Sequence, residues 1–277
     1  MRLIDVKRRI VAALGDGAGR ESELILSHVY GFEQSEMPLR LFDEVLPSAA
    51  LDDILSRRIG GEPLEYILGK TVFCGLDFDV SPDCLIPQAD TEVVAEEAAA
   101  QIKNGGRFLD LCTGSGCIAV AVAKITGACG VAVDISEKAL DIAKTNAEKN
   151  GVSDKIEFVR ADVFQDETFD GVGKFDLVVS NPPYVKTADI PSLSREVRRE
   201  PFVALDGGDD GMKFYRRITA VAPSLLKKGG ALVLEVGYDT AESVCALLEK
   251  SGFEYKLIKD YGNNSRCVSA RLAITEA

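Results

Sequence analysis

Apolar residues in the first part of the chain recur at the three- and four-residue spacing of amphipathic helices. Leu3, Val6 and Ile10 begin this pattern, and Leu51 takes it up again after breaks rich in glycine or proline. Such spacing places the apolar side chains on one face of each helix. We therefore predict a small all-α domain over residues 1–70, in which no group of residues looks catalytic.

Residues 71–89 predict a hairpin followed by a linker. Residues 71–80 mix polar and apolar side chains around Gly75, which is typical of a β-hairpin. Pro82 and Pro87 then punctuate an extended connection. Because proline fixes φ and lacks a backbone donor, a continuous helix is disfavoured here.

From residue 90 onwards, short apolar runs alternate with helical stretches. The predicted strands are residues 107–111, 130–133, 156–160, 175–180 and 231–236, with a final pair at 255–258 and 267–272. The predicted helices are residues 117–125, 137–150, 211–226 and 240–250. This alternation predicts a mostly parallel sheet that is covered on both faces. We therefore assign residues 90–277 to an α/β domain.

Length and charge narrow the choice of partners. The chain has 277 residues and a net charge of −12 at pH 7. Proteins that bind bulk nucleic acid usually carry a basic face, so this balance favours a protein or small-molecule substrate. No apolar run reaches the length of about 18 residues that a membrane span needs, and the N-terminus lacks the apolar core of a signal peptide. We expect a cytoplasmic protein without a membrane partner.

Histidine and cysteine usage limits the chemistry. His28 is the only histidine, and it lies far in sequence from the motifs described below. This argues against a Ser-His-Asp triad, a histidine-ligated metal or a histidine general base. The seven cysteines include no C-x-x-C pair, so reduced thiols are favoured over disulfides or a zinc site. We expect no metal.

The most specific chemical motif is Asn181-Pro182-Pro183-Tyr184, which follows the predicted strand 175–180. Neither proline has a backbone N–H, and each fixes φ near about −65°, so the turn is stiff. It presents carbonyl oxygens and the Asn181 side chain beside an aromatic ring. Such a turn suits a planar group that carries an NH2, either a carboxamide or the exocyclic amine of a nucleobase. A proline-rich turn without chemistry is the structural alternative.

A glycine-rich turn between a predicted strand and a predicted helix indicates a ligand site. Gly114 and Gly116 let the backbone approach a ligand closely, and the helix N-terminus behind them offers free N–H groups. Gly114, Gly116 and Ala119 also fit the G-x-G-x-x-A pattern of dinucleotide enzymes. Asp110 at the strand end disfavours that interpretation, because it would repel a pyrophosphate and attract a cationic ligand.

Two further acids end the next two predicted strands. Asp134 can accept hydrogen bonds from ribose hydroxyls. Asp162, beside the apolar Val163, suits an adenine whose amine donates to the acid. Either acid alone is also consistent with a helix N-cap. Three acids at successive strand ends beside a glycine turn nevertheless point to S-adenosyl-L-methionine as the cofactor.

Together these motifs resemble the class I S-adenosylmethionine-dependent methyltransferases, and more narrowly the release factor glutamine N5-methyltransferases of the PrmC/HemK family. The narrower resemblance rests on residues 61–69 (GEPLEYILG), 85–92 (LIPQADTE) and 200–211 (EPFVALDGGDDG). Gln88 and Ala89 stand where that family usually has arginine and proline.

The resemblance implies a use for each motif. Residues 112–116 would hold the methionine end of the cofactor, although Cys112 replaces a common glycine. Asp134 would hold the ribose, and Val163, which replaces a larger apolar residue, would flank the adenine. Residues 181–184 would bind the substrate glutamine. The catalytic residues would be Asn181, Pro182 and Tyr184. The predicted cofactor-binding residues are Asp110, Cys112, Thr113, Gly114, Ser115, Gly116, Asp134, Asp162, Val163 and Asn181.

The resemblance also implies a fold and an activity. The fold would be a Rossmann-like sheet of seven strands, the last one antiparallel, with an N-terminal helical domain that recognises the substrate. The activity would be methylation of the glutamine N5 in the Gly-Gly-Gln motif of class 1 peptide chain release factors by a monomeric enzyme. S-adenosyl-L-homocysteine would be the product. One alternative is a nucleic-acid methyltransferase acting on adenine N6 or guanine N2. A non-catalytic cofactor-binding interaction protein is the other.

Overall fold

The computed structural model describes residues 1–273, and the chain divides into two compact units. The first unit comprises Met1–Gly69 together with Ser194–Arg199. The second comprises Lys70–Leu193 and the described chain from Glu200 onwards. The sequence did not suggest that residues 194–199 join the helical unit, and the predicted hairpin belongs to the second unit. The last four residues of the predicted domain 90–277 lie outside the described residues.

The first unit is helical, as predicted. Its helices are α1 (Leu3–Leu14), α2 (Gly19–Tyr30), α3 (Met37–Arg40), α4 (Ala49–Ile59) and α5 (Leu64–Leu68). The apolar faces of α1, α2 and α4 meet in one core, in which Ile10, Ile25 and Leu51 are buried. Helix α4 begins after Ser48, whose hydroxyl accepts the backbone N–H of Leu51, an N-cap that satisfies a free donor of the first turn.

The second unit alternates strands and helices. Its strands are β1 (Lys70–Phe73), β2 (Leu76–Asp79), β3 (Arg107–Leu111), β4 (Cys129–Asp134), β5 (Ile156–Arg160), β6 (Phe175–Ser180), β7 (Leu226–Glu235), β8 (Phe253–Lys259) and β9 (Ser265–Leu272). Its helices are α6 (Ala89–Gln101), α7 (Cys117–Thr126), α8 (Glu137–Lys149), α9 (Phe202–Leu205), α10 (Lys213–Leu225) and α11 (Ala241–Lys250). Strands β1 and β2 form the predicted hairpin.

The main sheet has seven strands in the order β5-β4-β3-β6-β7-β9-β8. Strands β3 to β7 pair in parallel, whereas β9 runs antiparallel to both β7 and β8. The predicted Rossmann-like sheet with an antiparallel last strand is therefore confirmed. Its chain order reverses at β3, which has β4 on one side and β6 on the other. In open sheets of this kind, ligands bind at the carboxyl ends of the strands beside such a reversal.

Side chains that alternate along each strand build two cores. Phe108 and Leu177 face one core together with α6 and α7, whereas Leu109 and Val178 face the other together with α10 and α11. All four side chains are at most 1% exposed. A sheet buried on both faces needs continuous apolar strands, which is why these strands are visible in the sequence. The two cores hold the strand ends rigidly at the edge where the polar motifs follow.

Candidate active site

The glycine-rich turn after β3 adopts a backbone conformation that side chains disfavour. Gly114 and Gly116 have φ of +55° and +78°, and Cys112 also lies in the left-handed region at +61°. A Cβ on Gly116 would lie 2.9 Å from the Cβ of Ala143 on α8. Gly116 is therefore needed for close packing of the turn against α8, and it starts α7 directly behind the turn.

Asp134 at the end of β4 holds this turn. One carboxylate oxygen accepts the backbone N–H of Gly114 at 2.8 Å, and the other accepts that of Ser136 at 2.9 Å. Each oxygen keeps a further lone pair. Burial raises the pKa of Asp134. Asp134 therefore shapes the turn and also presents acceptors to any ligand that sits beside it.

Asp110 lies deeper, beneath the same turn. Its side chain is 0% exposed, and one oxygen accepts the hydroxyl of Thr113 at 2.6 Å. The other oxygen has no hydrogen-bond partner among the described residues. Burial raises the pKa of Asp110 to about 7. A buried carboxyl in this state favours a nearby positive charge, which suits a cationic ligand above the turn.

We expect Asp110→Asn to change how stability depends on pH. The folded pKa of about 7 exceeds the ordinary aspartate value of 3.8, so the folded state binds the proton more tightly than the unfolded state. The stability that this provides is complete below pH 3.8 and is lost as the pH rises through 7. The stability of the ligand-free protein relative to Asp110→Asn should therefore fall by up to about 1.4 kcal/mol per pH unit within that window. Urea unfolding at pH 5, 6, 7 and 8 measures this difference, and a constant difference would contradict the expectation.

The segment after β5 forms an apolar wall. Asp162 accepts the backbone N–H of Phe164 at 2.9 Å, which fixes the turn. The Phe164 ring meets the Phe214 ring edge to face at 4.9 Å between centroids, and the Lys213 ammonium lies 4.8 Å from the Phe164 centroid. Arg217 donates to the carbonyl of Val163 at 2.7 Å. Helix α10 thus completes a wall of flat apolar groups with an acid at its edge.

The turns after β3, β4, β5 and β6 surround one cavity of about 210 Å³. Seven of the site residues predicted from the sequence line this cavity, namely Cys112, Gly114, Asp134, Asp162, Val163, Asn181 and Pro183. Further lining residues come from the linker after β2, from α9 and from α10, and they include Leu85, Val203, Lys213 and Phe214. The cavity combines carboxylates, a glycine-rich turn and an apolar wall, which suits a ligand that carries hydrogen-bond donors and a flat apolar ring.

The Asn181–Tyr184 turn is anchored from behind by a buried glutamate. Asn181 donates its Nδ2 to the hydroxyl oxygen of Thr91 at 3.3 Å, and Thr91 donates to Glu235 at 2.6 Å. The Tyr184 hydroxyl donates to the other oxygen of Glu235 at 3.2 Å. Burial raises the pKa of Glu235 to about 7 and also raises the pKa of Tyr184. The first and last residues of the motif therefore share one anchor.

Two glycines pack directly against the motif. A Cβ on Gly207 would lie 2.6 Å from the Cα of Tyr184, and a Cβ on Gly211 would lie 2.5 Å from its carbonyl oxygen. Gly207 also donates its N–H to the carbonyl of Val185 at 2.7 Å. The glycines of the segment 200–211 therefore let the backbone approach the turn closely.

The remaining predicted site residues lie behind the cavity wall. Asp110, Thr113, Ser115 and Gly116 are buried and do not line the cavity. The backbone carbonyl of Ser115 instead accepts a hydrogen bond from the Nδ2 of the buried Asn146 of α8. Pro182 is buried, and the half-buried Tyr184 is not among the lining residues. The roles given to these residues stay predictions.

Sequence reasoning missed several members of the site. It gave no role to Phe214 or Lys213, whose only signal was their place at the start of a helix. It quoted Thr91 within the segment 85–92 without assigning a function. Glu235 did carry a signal, because it is the one charged residue in the apolar run 231–236.

The described residues contain neither a disulfide nor a metal-binding cluster. All seven cysteines are free thiols, and no cluster among residues 1–273 has the histidine, cysteine or carboxylate groups to hold a metal ion. In the same range, no helix combines the length and apolar character that a membrane crossing demands.

Comparison with known proteins identifies both parts of the chain. Residues 3–69 match the family model of the PrmC N-terminal domain, and residues 67–199 match that of the methyltransferase small domain. The release factor glutamine methyltransferase of Geobacter sulfurreducens is 42% identical over 91% of this chain and 89% of its own length. The one from Chlorobaculum tepidum is 40% identical over 90% of this chain and 88% of its own length. A methyltransferase from Pyrococcus furiosus shares the fold, with a TM-score of 0.54 and 20% identity over 71% of this chain and 88% of its own.

Proposed function

The chain belongs to the family of release factor glutamine methyltransferases, and we propose that it methylates the N5 of the glutamine in the Gly-Gly-Gln motif of class 1 peptide chain release factors. One observation carries the proposal. Asn181 and Pro183 of the Asn181–Tyr184 turn border the same cavity as the acids Asp134 and Asp162. A glutamine amide held by the turn would therefore meet a methyl donor held by the acids.

We propose S-adenosyl-L-methionine as that donor. When bound, it supplies an electrophilic methyl group on a sulfonium, and S-adenosyl-L-homocysteine remains afterwards. Asp134 would accept the ribose hydroxyls through its free lone pairs, and Asp162 would accept the adenine amine beside Val163 and the Phe164–Phe214 wall. The buried carboxyl of Asp110 would favour the cationic end above the glycine turn, because a nearby positive charge stabilises its ionised form.

The chain's own contribution to the reaction is orientation. A carboxamide nitrogen is a poor nucleophile because its lone pair is delocalised into the carbonyl. The Asn181 side-chain oxygen and the Pro182 carbonyl would accept its two N–H groups and aim the nitrogen, while Tyr184 stiffens the turn from behind. Correct orientation is worth up to about 7–11 kcal/mol in favourable cases. The proton can leave after methyl transfer, so no histidine base is required.

We further propose that the helical unit recognises the release factor, since residues 3–69 match the N-terminal domain found in this family. The enzyme would act as a monomer in the cytoplasm, without a nucleic-acid substrate. The net charge of −12 supports a protein partner over a polyphosphate one.

The proposal is tested by incubating the purified chain with tritiated S-adenosylmethionine and an intact class 1 release factor. Peptide mass spectrometry should place a single methyl group on the glutamine of the Gly-Gly-Gln motif. A release factor with that glutamine changed to alanine is the control and should stay unlabelled. Label on RNA or DNA added in parallel, with none on the release factor, would overturn the proposal in favour of a nucleic-acid methyltransferase.

A matched pair of glycine variants tests whether the segment 200–211 positions the motif. Gly211 and Gly252 have similar φ values of +74° and +79°, so the left-handed backbone alone should cost alanine about 1–2 kcal/mol of stability at either position. Only at Gly211 would the new Cβ clash, 2.5 Å from the Tyr184 carbonyl, whereas at Gly252 it would meet open space. A displacement of about 1 Å can cost about 100-fold in rate, so we expect kcat to fall by about 10- to 100-fold for Gly211→Ala alone. Equal kcat values for the two variants would contradict this.

A further inference from the structure

We propose that Thr91 is a positioning residue which, held by Glu235, fixes the Asn181 amide with its oxygen towards the substrate. This inference rests on the proposed function, because the substrate is the glutamine carboxamide. It concerns two residues that lie behind the cavity, and neither lines it.

Four elements of the second unit meet at this point. Thr91 lies in the first turn of α6, Glu235 ends β7, and Asn181 directly follows β6. Thr91 and Glu235 are 2% and 3% exposed. The backbone carbonyl of Glu235 accepts the Tyr215 hydroxyl of α10 at 2.9 Å, which fixes the end of β7. The contacts are therefore made between rigid elements and out of bulk water.

The direction of the hydrogen bonds settles the orientation of the amide. A threonine hydroxyl has one proton, and that of Thr91 goes to Glu235 at 2.6 Å. The Thr91 oxygen can then only accept, so the Asn181 group facing it at 3.3 Å has to be the NH2. The Asn181 oxygen is left on the opposite side of the amide, where it can accept an N–H of the substrate.

Sterics alone would not enforce this orientation. The oxygen and the NH2 of an asparagine are nearly the same size, and a rotation of the amide exchanges them. A rotated Asn181 would present N–H donors to the N–H donors of a substrate carboxamide. A directional partner is therefore required, and Thr91 supplies it only while its own proton is engaged by a carboxylate.

Glu235 is suited to this task because an ionised carboxylate can only accept. Its second oxygen accepts the Tyr184 hydroxyl at 3.2 Å, so one group orients both ends of the motif. Arg266 lowers the pKa of Glu235, whereas Asp90 raises it. Arg266 is itself bound to Asp90 at 2.8 Å and to Asp260 at 3.4 Å. Burial raises the pKa of Glu235 to about 7, so assays at pH 8.5 examine the ionised form.

The test compares Thr91→Val, which keeps the shape but loses the hydroxyl, with Thr91→Ser, which keeps the hydroxyl. Methylation of an intact release factor is measured at pH 8.5, with the binding of S-adenosylhomocysteine followed by calorimetry. We expect kcat to fall by about 10- to 100-fold for Thr91→Val and by less than about threefold for Thr91→Ser. The loss for Thr91→Val should be smaller than the about 100- to 1,000-fold typical of removing an oriented polar group itself, because Asn181 is still present and only its orientation is no longer fixed. KM for the release factor and cofactor affinity should change little in both variants.

A double variant separates positioning from a general effect on the fold. If Thr91 acts through Asn181, adding Thr91→Val to Asn181→Ala should slow single-turnover methylation by less than about twofold. A full additional loss in that background, or a Thr91→Ser variant as slow as Thr91→Val, would overturn the inference.

If Thr91→Val fails to fold, the variant Glu235→Gln replaces it. A glutamine amide can donate to Thr91, so this change removes the fixed direction of the hydrogen bonds. We expect Glu235→Gln to lower kcat by at least about fivefold, and an unchanged kcat would overturn the inference. A wild-type protein that leaves release factor unmodified would instead refute the proposed function.

Discussion

Replacing Asn181 with alanine is expected to lower kcat for methylation of an intact release factor by about 1,000-fold or more. Asn181 supplies the only side-chain acceptor of the motif that lines the cavity, and loss of one oriented polar group at a reacting centre typically costs about 100- to 1,000-fold. The loss also leaves Thr91 without its donor, so the turn loses one of its two links to Glu235. Both effects act on the substrate amide.

Cofactor binding should largely survive the same change, because the acids at the ends of β4 and β5 remain in place. Tritiated-methyl transfer measures kcat, and calorimetry with S-adenosylhomocysteine measures affinity. Asn104→Ala, in the exposed loop before β3, is the control for the loss of an asparagine side chain. Turnover by Asn181→Ala within about tenfold of wild type would remove Asn181 from the catalytic residues.

Burial explains which elements the sequence could predict. Strands β3, β5 and β6 have the predicted bounds, because apolar residues form the majority of each short segment. Strand β7 begins at Leu226, five residues before the predicted start at 231. Its early residues Lys227 and Lys228 are exposed and pattern as a loop, although the backbone still pairs Leu226 with Phe175. The pattern of apolar residues indicates which side chains are buried, but it does not indicate backbone pairing at an exposed strand end.

The residues of the site also differ in how far the sequence could predict them. Residues that contact a ligand through their own chemistry, such as Asp134 and Asn181, could be named from local motifs at strand ends. The residues that hold Asn181 in place could not be named in this way, because Thr91 is 90 residues away in sequence and Glu235 lies 144 residues beyond Thr91. Only the folded sheet brings α6 and β7 to the end of β6. A charged residue that ends an apolar strand was the one local sign that a buried network existed.

The second large effect is expected for Asp134→Ala, which should weaken the binding of S-adenosylhomocysteine by at least about 100-fold. The carboxylate accepts the N–H of Gly114 at 2.8 Å and that of Ser136 at 2.9 Å, so it shapes the glycine turn as well as lining the cavity. Hydrogen bonds to a charged group are worth about 1.5–3 kcal/mol each, and each 1.4 kcal/mol is a factor of about ten in affinity. Losing the turn contact together with one ligand contact therefore accounts for 100-fold or more.

The ligand-free protein should tolerate the same change better than the complex does. Burial raises the pKa of Asp134, which means that the folded protein holds its charge at a cost, and alanine removes that cost along with the hydrogen bonds. Thermal unfolding should thus show a modest fall in Tm without ligand and a loss of most of the stabilisation that S-adenosylhomocysteine gives wild type. Asp154→Ala makes the same change of charge at an exposed position and should bind like wild type. An Asp134→Ala protein that binds within about fivefold of wild type would show that the turn, rather than this carboxylate, determines cofactor affinity.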